Sequence, residues 1–199
     1  SNCPVNHPDP AVRAQGVDVI RKSVDISHAL GSGTILLVPS RVGSGAKWLY
    51  GYEDTWKRTT EELRKAIPHA AGAKIILTPE NVWNKFLLSP LEMRSFVDQF
   101  NSPWLQAHFD VGNVMQFGFP QDWIATLGAR IQRVHLKDFN VQTNRFVPLM
   151  EGDVGWREVI NALAKVDYRG WLSPEYSYDA NDPGQISRIS AVVDKIYAL

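Results

Sequence analysis

Glu80, Asp110, His135 and Glu175 are the residues of this chain whose types and spacing suit metal ligation and proton transfer. Each stands in or just after a short apolar run. Ile75–Thr78 leads to Glu80, Trp104–Phe109 to Asp110 and Gly170–Ser173 to Glu175, while Ile131–Leu136 contains His135. Such runs read as β-strands, in which alternate side chains share a face. Thr78 and Glu80 then point one way, as do Gln106, His108 and Asp110; Arg133, His135 and Lys137; and Trp171, Ser173 and Glu175. Four neighbouring strands would turn Glu, Asp, His and Glu toward one point at one depth. Three carboxylates and one imidazole suit Mn²⁺, Mg²⁺ or Co²⁺ at least as well as Zn²⁺, with open positions for two substrate oxygens. Taken singly, an acid at a strand end is more commonly a helix cap, and a lone histidine a hydrogen-bonded core residue. Recurrence on successive strands is what points to a shared site.

The elements that must position these residues are legible as an alternation. Asp9-Pro10 followed by Val12, Val17, Ile20, Val24, Ile26 and Leu30 predicts a helix over 11–30, capped by Asp9 and stopped by Gly31. Thr34–Val38 is a continuous apolar run, as a strand covered on both faces should be. A polar loop, Ser40–Gly51, follows. Helices over Glu53–Ala71, Pro90–Phe100, Gln121–Leu127, Trp156–Lys165 and Gln185–Ala198 then alternate with the four strands above. One leading helix and five βα units imply right-handed crossovers and a parallel sheet in an α/β domain spanning 1–199. Gly112–Phe119 and the 140s are the places where a sixth strand would fit. Periodicity alone leaves a closed barrel and an open sheet as alternatives. In a barrel, the C-terminal strand ends are where reacting groups gather, because the βα loops open there.

Composition removes several function classes. The 199 residues carry 21 Lys plus Arg against 21 Asp plus Glu, so no net charge draws the chain to nucleic acid or an anionic membrane. No apolar run reaches the roughly 18 residues of a membrane helix. The single cysteine, Cys3, excludes an internal disulfide framework. With no leader in view, the sequence reads as cytoplasmic. No phosphate loop of P-loop or Rossmann spacing is present. Trp56, Trp123 and Trp156 read as packing helices onto strands, whereas Trp83 follows Glu80 closely enough to line a pocket mouth. Arg13 and Arg41 read as solvated surface residues.

Five segments together carry a family resemblance: Glu80-Asn81-Val82-Trp83-Asn84-Lys85, His108-Phe109-Asp110-Val111-Gly112-Asn113, Val134-His135-Leu136-Lys137-Asp138, Glu151-Gly152-Asp153-Val154 and Ser173-Pro174-Glu175. In order and spacing the chain resembles the xylose isomerase-like superfamily, on its sugar and sugar-phosphate isomerase/epimerase branch. The resemblance implies a (β/α) TIM-type barrel, incomplete at the N-terminus with about six of eight βα units, since a full barrel takes about 250 residues. It implies that Glu80, Asp110, His135 and Glu175 ligate one divalent metal ion and that Glu80 and Glu175 double as the catalytic proton-transfer pair. Lys137 and Asn113 fall at positions near substrate. His108, two residues before Asp110 on the same row, reads equally as a core histidine or a substrate contact. The partner implied is a small sugar or sugar phosphate, and the assembly a homo-oligomer.

The chemistry agrees with that implication. A proton beside a ketose carbonyl is removed only if the developing enediolate is stabilised, as a chelating divalent ion does. Two carboxylates on opposite faces then invert the centre, whereas one carboxylate shuttling between neighbouring carbons gives aldose–ketose isomerisation. Some positions depart from the family pattern. Phe86 and Asn113 stand where tagatose-type epimerases carry Glu and His, and Met150-Glu151-Gly152 replaces a Gly-Glu-Gly turn, with Glu151 reading as a loop cap. The alternatives are an inosose-type dehydratase, which shares the first step, and a partial barrel that only binds a ligand. An endonuclease IV-like enzyme needs a three-zinc cluster, which His7, His28 and His69, on a loop and helices, do not supply.

Overall fold

The computed structural model describes residues 4–38, 40–44 and 46–199; Cys3, and Gly45 of the predicted loop, lie outside the described residues. In chain order the elements are α1 (Pro10–Ala29), β1 (Thr34–Leu37), β2 (Gly43–Ser44), β3 (Lys47–Trp48), α2 (Tyr52–Ala73), β4 (Ile76–Pro79), α3 (Pro90–Asp98) and β5 (Ala107–Asp110). They continue with α4 (Pro120–Leu127), β6 (Ile131–Leu136), β7 (Asp138–Asn140), β8 (Arg145–Val147), α5 (Trp156–Lys165), β9 (Leu172–Pro174) and α6 (Gln185–Tyr197). Among the described residues six α-helices follow one another with five strands of parallel type between them, β1, β4, β5, β6 and β9. Among the described residues these strands form no closed ring. No helix there is long and apolar enough to cross a membrane.

The chain divides into two compact units. The first takes the residues up to Leu88 together with Glu92–His108. Asp9 caps α1 by accepting the Ala11 N–H at 2.8 Å, Pro10 occupies the first turn, and Gly31 takes a positive φ of 72° just beyond the helix. Val17, Ile20 and Val24 of α1 and Leu63, Ala66 and Ala70 of α2 are buried as the two helices pack together. β1 pairs in parallel with β4, Thr34 against Ile76 through Leu37 against Pro79. β4 in turn bridges Leu105 from Leu77, and Glu80 just beyond it bridges His108. Trp56 packs edge-on against Phe96 at 5.2 Å, as an aromatic joining α2 to α3 should. The loop expected over 40–51 contains an antiparallel hairpin of β2 and β3, too short to show as an apolar run.

The second unit takes Ser89–Leu91 and Phe109–Leu199. Its sheet has the order β5-β6-β9, and β6 and β9 are parallel with Val134, His135 and Leu136 opposite Leu172, Ser173 and Pro174. Val134 and Leu136 are fully buried, which turns His135 to the other face. Trp123 of α4 stacks on Phe109 at 6.3 Å, and α4 packs against α5. Gly112–Phe119 forms turns, and the strand in the 140s, β8, is antiparallel to β7 in a hairpin of its own. A three-residue strand rich in polar neighbours, Arg145-Phe146-Val147, offers no run long enough to be read with certainty.

In the first unit one buried ion pair joins α1 to α2. The Glu62 side chain is 2% exposed; its carboxylate receives Arg13 Nε at 3.0 Å and Lys65 Nζ at 2.8 Å. Burial alone would raise the Glu62 carboxyl, but these two cations outweigh it and hold it below 4.5. Its stabilising contribution is therefore complete above pH 4.5 and lost as pH falls through the lowered folded value. Glu62→Gln is expected to cost about 1.5–3 kcal/mol at pH 7. Urea unfolding at several pH values checks this: the gap between Glu62→Gln and wild type should close in acid below the ordinary glutamate range.

Candidate functional site

The second unit gathers Asp110, His135, Lys137 and Glu175. Asp110 ends β5 fully buried, and its Oδ1 accepts the Asn113 N–H at 2.6 Å, which fixes the carboxylate at the strand end. Asn113, itself buried, thus acts there through its backbone. His135 and Lys137 follow the two-residue period of β6. Glu175 comes from the residue after β9, where its N–H donates to the Leu136 carbonyl at 3.0 Å. One ligand atom each from Asp110, His135 and Glu175 lies within 4.8 Å of the others. Glu175 Oε2 is 3.2 Å from His135 Nδ1 and 2.8 Å from Lys137 Nζ; Asp110 Oδ2 is 3.4 Å from Lys137 Nζ.

The electrostatics follow from this crowding. Burial pushes the Glu175 carboxyl up, but the Lys137 hydrogen bond and charge, with His135 beside it, outweigh burial and hold it below 4.5. Lys137 pairs with these two acids and not with its neighbour Asp138. Its ammonium also lies 4.8 Å above the Phe146 ring. A cavity of about 480 Å³ opens here, lined by Lys137, Phe146, Leu149, Glu175 and Tyr176 among others. That is the size of a pocket for one small molecule.

In the first unit Glu80 and His108 are both buried, paired across the parallel bridge, with ligand atoms within 4.8 Å of each other. The Glu80 N–H donates to the Leu37 carbonyl at 2.9 Å, which continues the β1–β4 ladder to the acid. Trp83 is half exposed. Beyond it Lys85 and Leu87 adopt left-handed φ of 61° and 57°, uncommon for such side chains. Asn84 holds this turn: its Oδ1 accepts the Phe86 N–H at 3.0 Å and its Nδ2 donates to the Ser40 carbonyl at 2.6 Å.

Sequence reasoning missed Asp138, Phe146 and Tyr176. The Asp138 carboxylate is buried and accepts four N–H groups: Phe139 at 2.8 Å, Met150 at 2.8 Å, Val154 at 3.2 Å and Trp156 Nε1 at 3.0 Å. It ties the β7–β8 hairpin, the turn after it and the start of α5 to one point. Its partners lie as far as 18 residues away in sequence, so no local pattern announces them. The Tyr176 hydroxyl accepts the Leu149 N–H at 2.7 Å, joining that turn to the residue beside Glu175. Gly152 explains itself here, since a Cβ on it would lie 2.2 Å from Asp138 Oδ1.

A model of the xylose isomerase-like TIM barrel matches residues 1–195. The chain belongs to the xylose isomerase-like TIM barrel family. Within it, the chain is 27% identical over 182 residues to the L-ribulose-5-phosphate 3-epimerase UlaE of Escherichia coli O1:K1, covering 90% of this chain and 63% of that one. It therefore spans less than two thirds of that curated relative. In fold it is similar to a D-psicose 3-epimerase from Clostridium cellulolyticum H10, at a TM-score of 0.84 and 18% identity, covering 98% of this chain and 74% of the other. A D-allulose 3-epimerase from Methylomonas sp. gives 0.76 and 23%, covering 96% and 66%.

One family departure has a visible local effect. Met150, in place of the glycine that the family resemblance implies, sits at a φ of 68°, where a side chain crowds the following carbonyl. Met150→Gly should therefore stabilise by about 0.5–1 kcal/mol after the entropy that glycine adds to the unfolded chain. Gly152→Ala should do the opposite and cost about 1–3 kcal/mol, because the Asp138 carboxylate has no room to move. Thermal unfolding of the two variants beside wild type reads both signs at once.

Proposed function

We propose that the chain carries the site of a divalent-metal-dependent ketose 3-epimerase acting on a small sugar or sugar phosphate. Glu80, Asp110, His135 and Glu175 are the proposed ligands, and Glu80 and Glu175 the proton-transfer pair. The observation that carries the reading is the convergence of Asp110, His135 and Glu175. Their donors, two carboxylate oxygens and one imidazole nitrogen, fit a hard or borderline cation. The relative from Escherichia coli, named a 3-epimerase of L-ribulose 5-phosphate, supports the substrate class.

A bound divalent ion would supply Lewis acidity, withdrawing charge from the ketose carbonyl as the adjacent carbon loses its proton. The protein side of the reaction then falls to two carboxylates. One removes the C3 proton; the C3–H pair becomes the C2–C3 π bond and the carbonyl π pair moves onto O2. The other group, which must start as the protonated acid, delivers its proton to C3 from the opposite face as the carbonyl re-forms, which inverts the centre. A carboxyl held below its usual range, as Glu175 is, starts ionised at neutral pH and suits the base role. Lys137, Asn113, His108 and Trp83 are the proposed substrate-side residues.

The test is incubation of Mn²⁺-loaded protein in D₂O with L-ribulose 5-phosphate, L-xylulose 5-phosphate and the free ketohexoses. Deuterium should enter at C3 without aldose formation, and removal of the metal with a chelator should stop it. Entry at C1 or C2 with aldose would assign isomerisation instead. Glu80→Gln and Glu175→Gln should each lower turnover by about 10²–10⁴-fold with the far-ultraviolet circular dichroism unchanged. Near-wild-type turnover in metal-loaded Glu175→Gln would overturn the assignment.

A further inference from the structure

The most unusual partner in the acidic cluster is Lys137. A lysine ammonium occupies the same oxygens that would ligate the metal: Glu175 Oε2 at 2.8 Å and Asp110 Oδ2 at 3.4 Å. His135 Nδ1 faces the same two atoms, at 3.2 Å and 4.0 Å. The Lys137–Asp110 pair is no solvated surface contact, since the Lys137 side chain is only 15% exposed and that of Asp110 not at all, whereas Glu175 is 45% exposed. Its stem is also pressed into place by the backbone. Gly112 has no Cβ, and one built there would lie 2.7 Å from the Lys137 carbonyl oxygen and 2.9 Å from its Cβ.

We propose that Lys137 is the built-in counter-ion of this cluster, and that divalent metal and the lysine ammonium compete for Glu175 and Asp110. The inference rests on the metal reading above. The fully buried Asp110 carboxylate, with that of Glu175 beside it, needs a positive charge to remain ionised, and Lys137 supplies it when no metal does. A divalent ion takes carboxylate oxygens at about 2.0–2.2 Å. An ammonium hydrogen-bonded to Glu175 Oε2 and ion-paired with Asp110 Oδ2 then meets a doubly charged neighbour and must let go. The Phe146 face, 4.8 Å from Nζ, continues to stabilise the ammonium after it has done so. Metal loading would thus convert Lys137 from a structural ion-pair partner into a donor available to a substrate oxygen.

The experiment compares wild type with Lys137→Met and Lys137→Gln, using Mn²⁺ alone as the probe. Calorimetry should show Mn²⁺ binding about 10- to 100-fold tighter in both variants, the worth of one charged hydrogen bond that no longer has to be broken. Thermal unfolding should show both variants less stable than wild type without metal, and the gap should close at saturating Mn²⁺. Unchanged or weaker Mn²⁺ affinity in the variants, or a gap that persists at saturation, overturns the competition while leaving the metal reading intact. If none of the three proteins takes up Mn²⁺, the metal reading itself falls and this inference with it. Should the variants fail to fold, wild type answers alone. Reductive methylation of Lys137, followed by mass spectrometry, should run faster with Mn²⁺ present, and an equal or slower rate overturns the proposal.

Discussion

The parallel register of β6 and β9 is the constraint from which the site in the second unit follows. His135 lies opposite Ser173 and Leu136 opposite Pro174, and the last hydrogen bond of the ladder runs from the Glu175 N–H to the Leu136 carbonyl. That bond sets a carboxylate beside the imidazole and ammonium of the neighbouring strand. A slip of one residue would turn Glu175 to the face where Val134 and Leu136 are buried. Burying an unpaired carboxylate there is expensive, so the charge itself helps to specify the register. Packing and chemistry therefore select the same alignment.

Much of this arrangement was legible because strands and helices have different periods. The apolar runs ending at Glu80, Asp110 and Glu175, and the row Arg133-His135-Lys137, required only alternation to be read. α5 and β6 fall where hydrophobic spacing places them, at Trp156–Lys165 and Ile131–Leu136. The illegible parts are those held by side chains distant in sequence. Asp138 stands next to a lysine in sequence. Its bonding instead goes to Met150, Val154 and Trp156, and this fixes a hairpin of three-residue strands that no periodicity reveals. Tyr176 and Phe146 enter the cavity wall by the same route.

The site also shows how a cluster of like charges is kept together. Asp110 is held by a backbone N–H, Glu175 by a lysine and a histidine, and Lys137 by two carboxylates and an aromatic face. Each group is oriented by a neighbour that is itself fixed, which holds the cluster in one geometry. The lowered Glu175 carboxyl is the electrostatic trace of that order.

The β7–β8 hairpin has an architectural consequence. Both its stem and the turn that follows are moored at the single carboxylate of Asp138, while its tip over 141–144 lies exposed and is closed by Asn140 Oδ1 on the Thr143 N–H. The tip's own bonds, from the Val141 N–H to Asp153 and from Gln116 to Asn144, involve neither Asp138, the β6–β9 ladder nor any acid of the cluster. The cavity wall is in this sense a replaceable panel hung on a fixed frame. The charged cluster can stay still while the shape of the cavity beside it is rewritten.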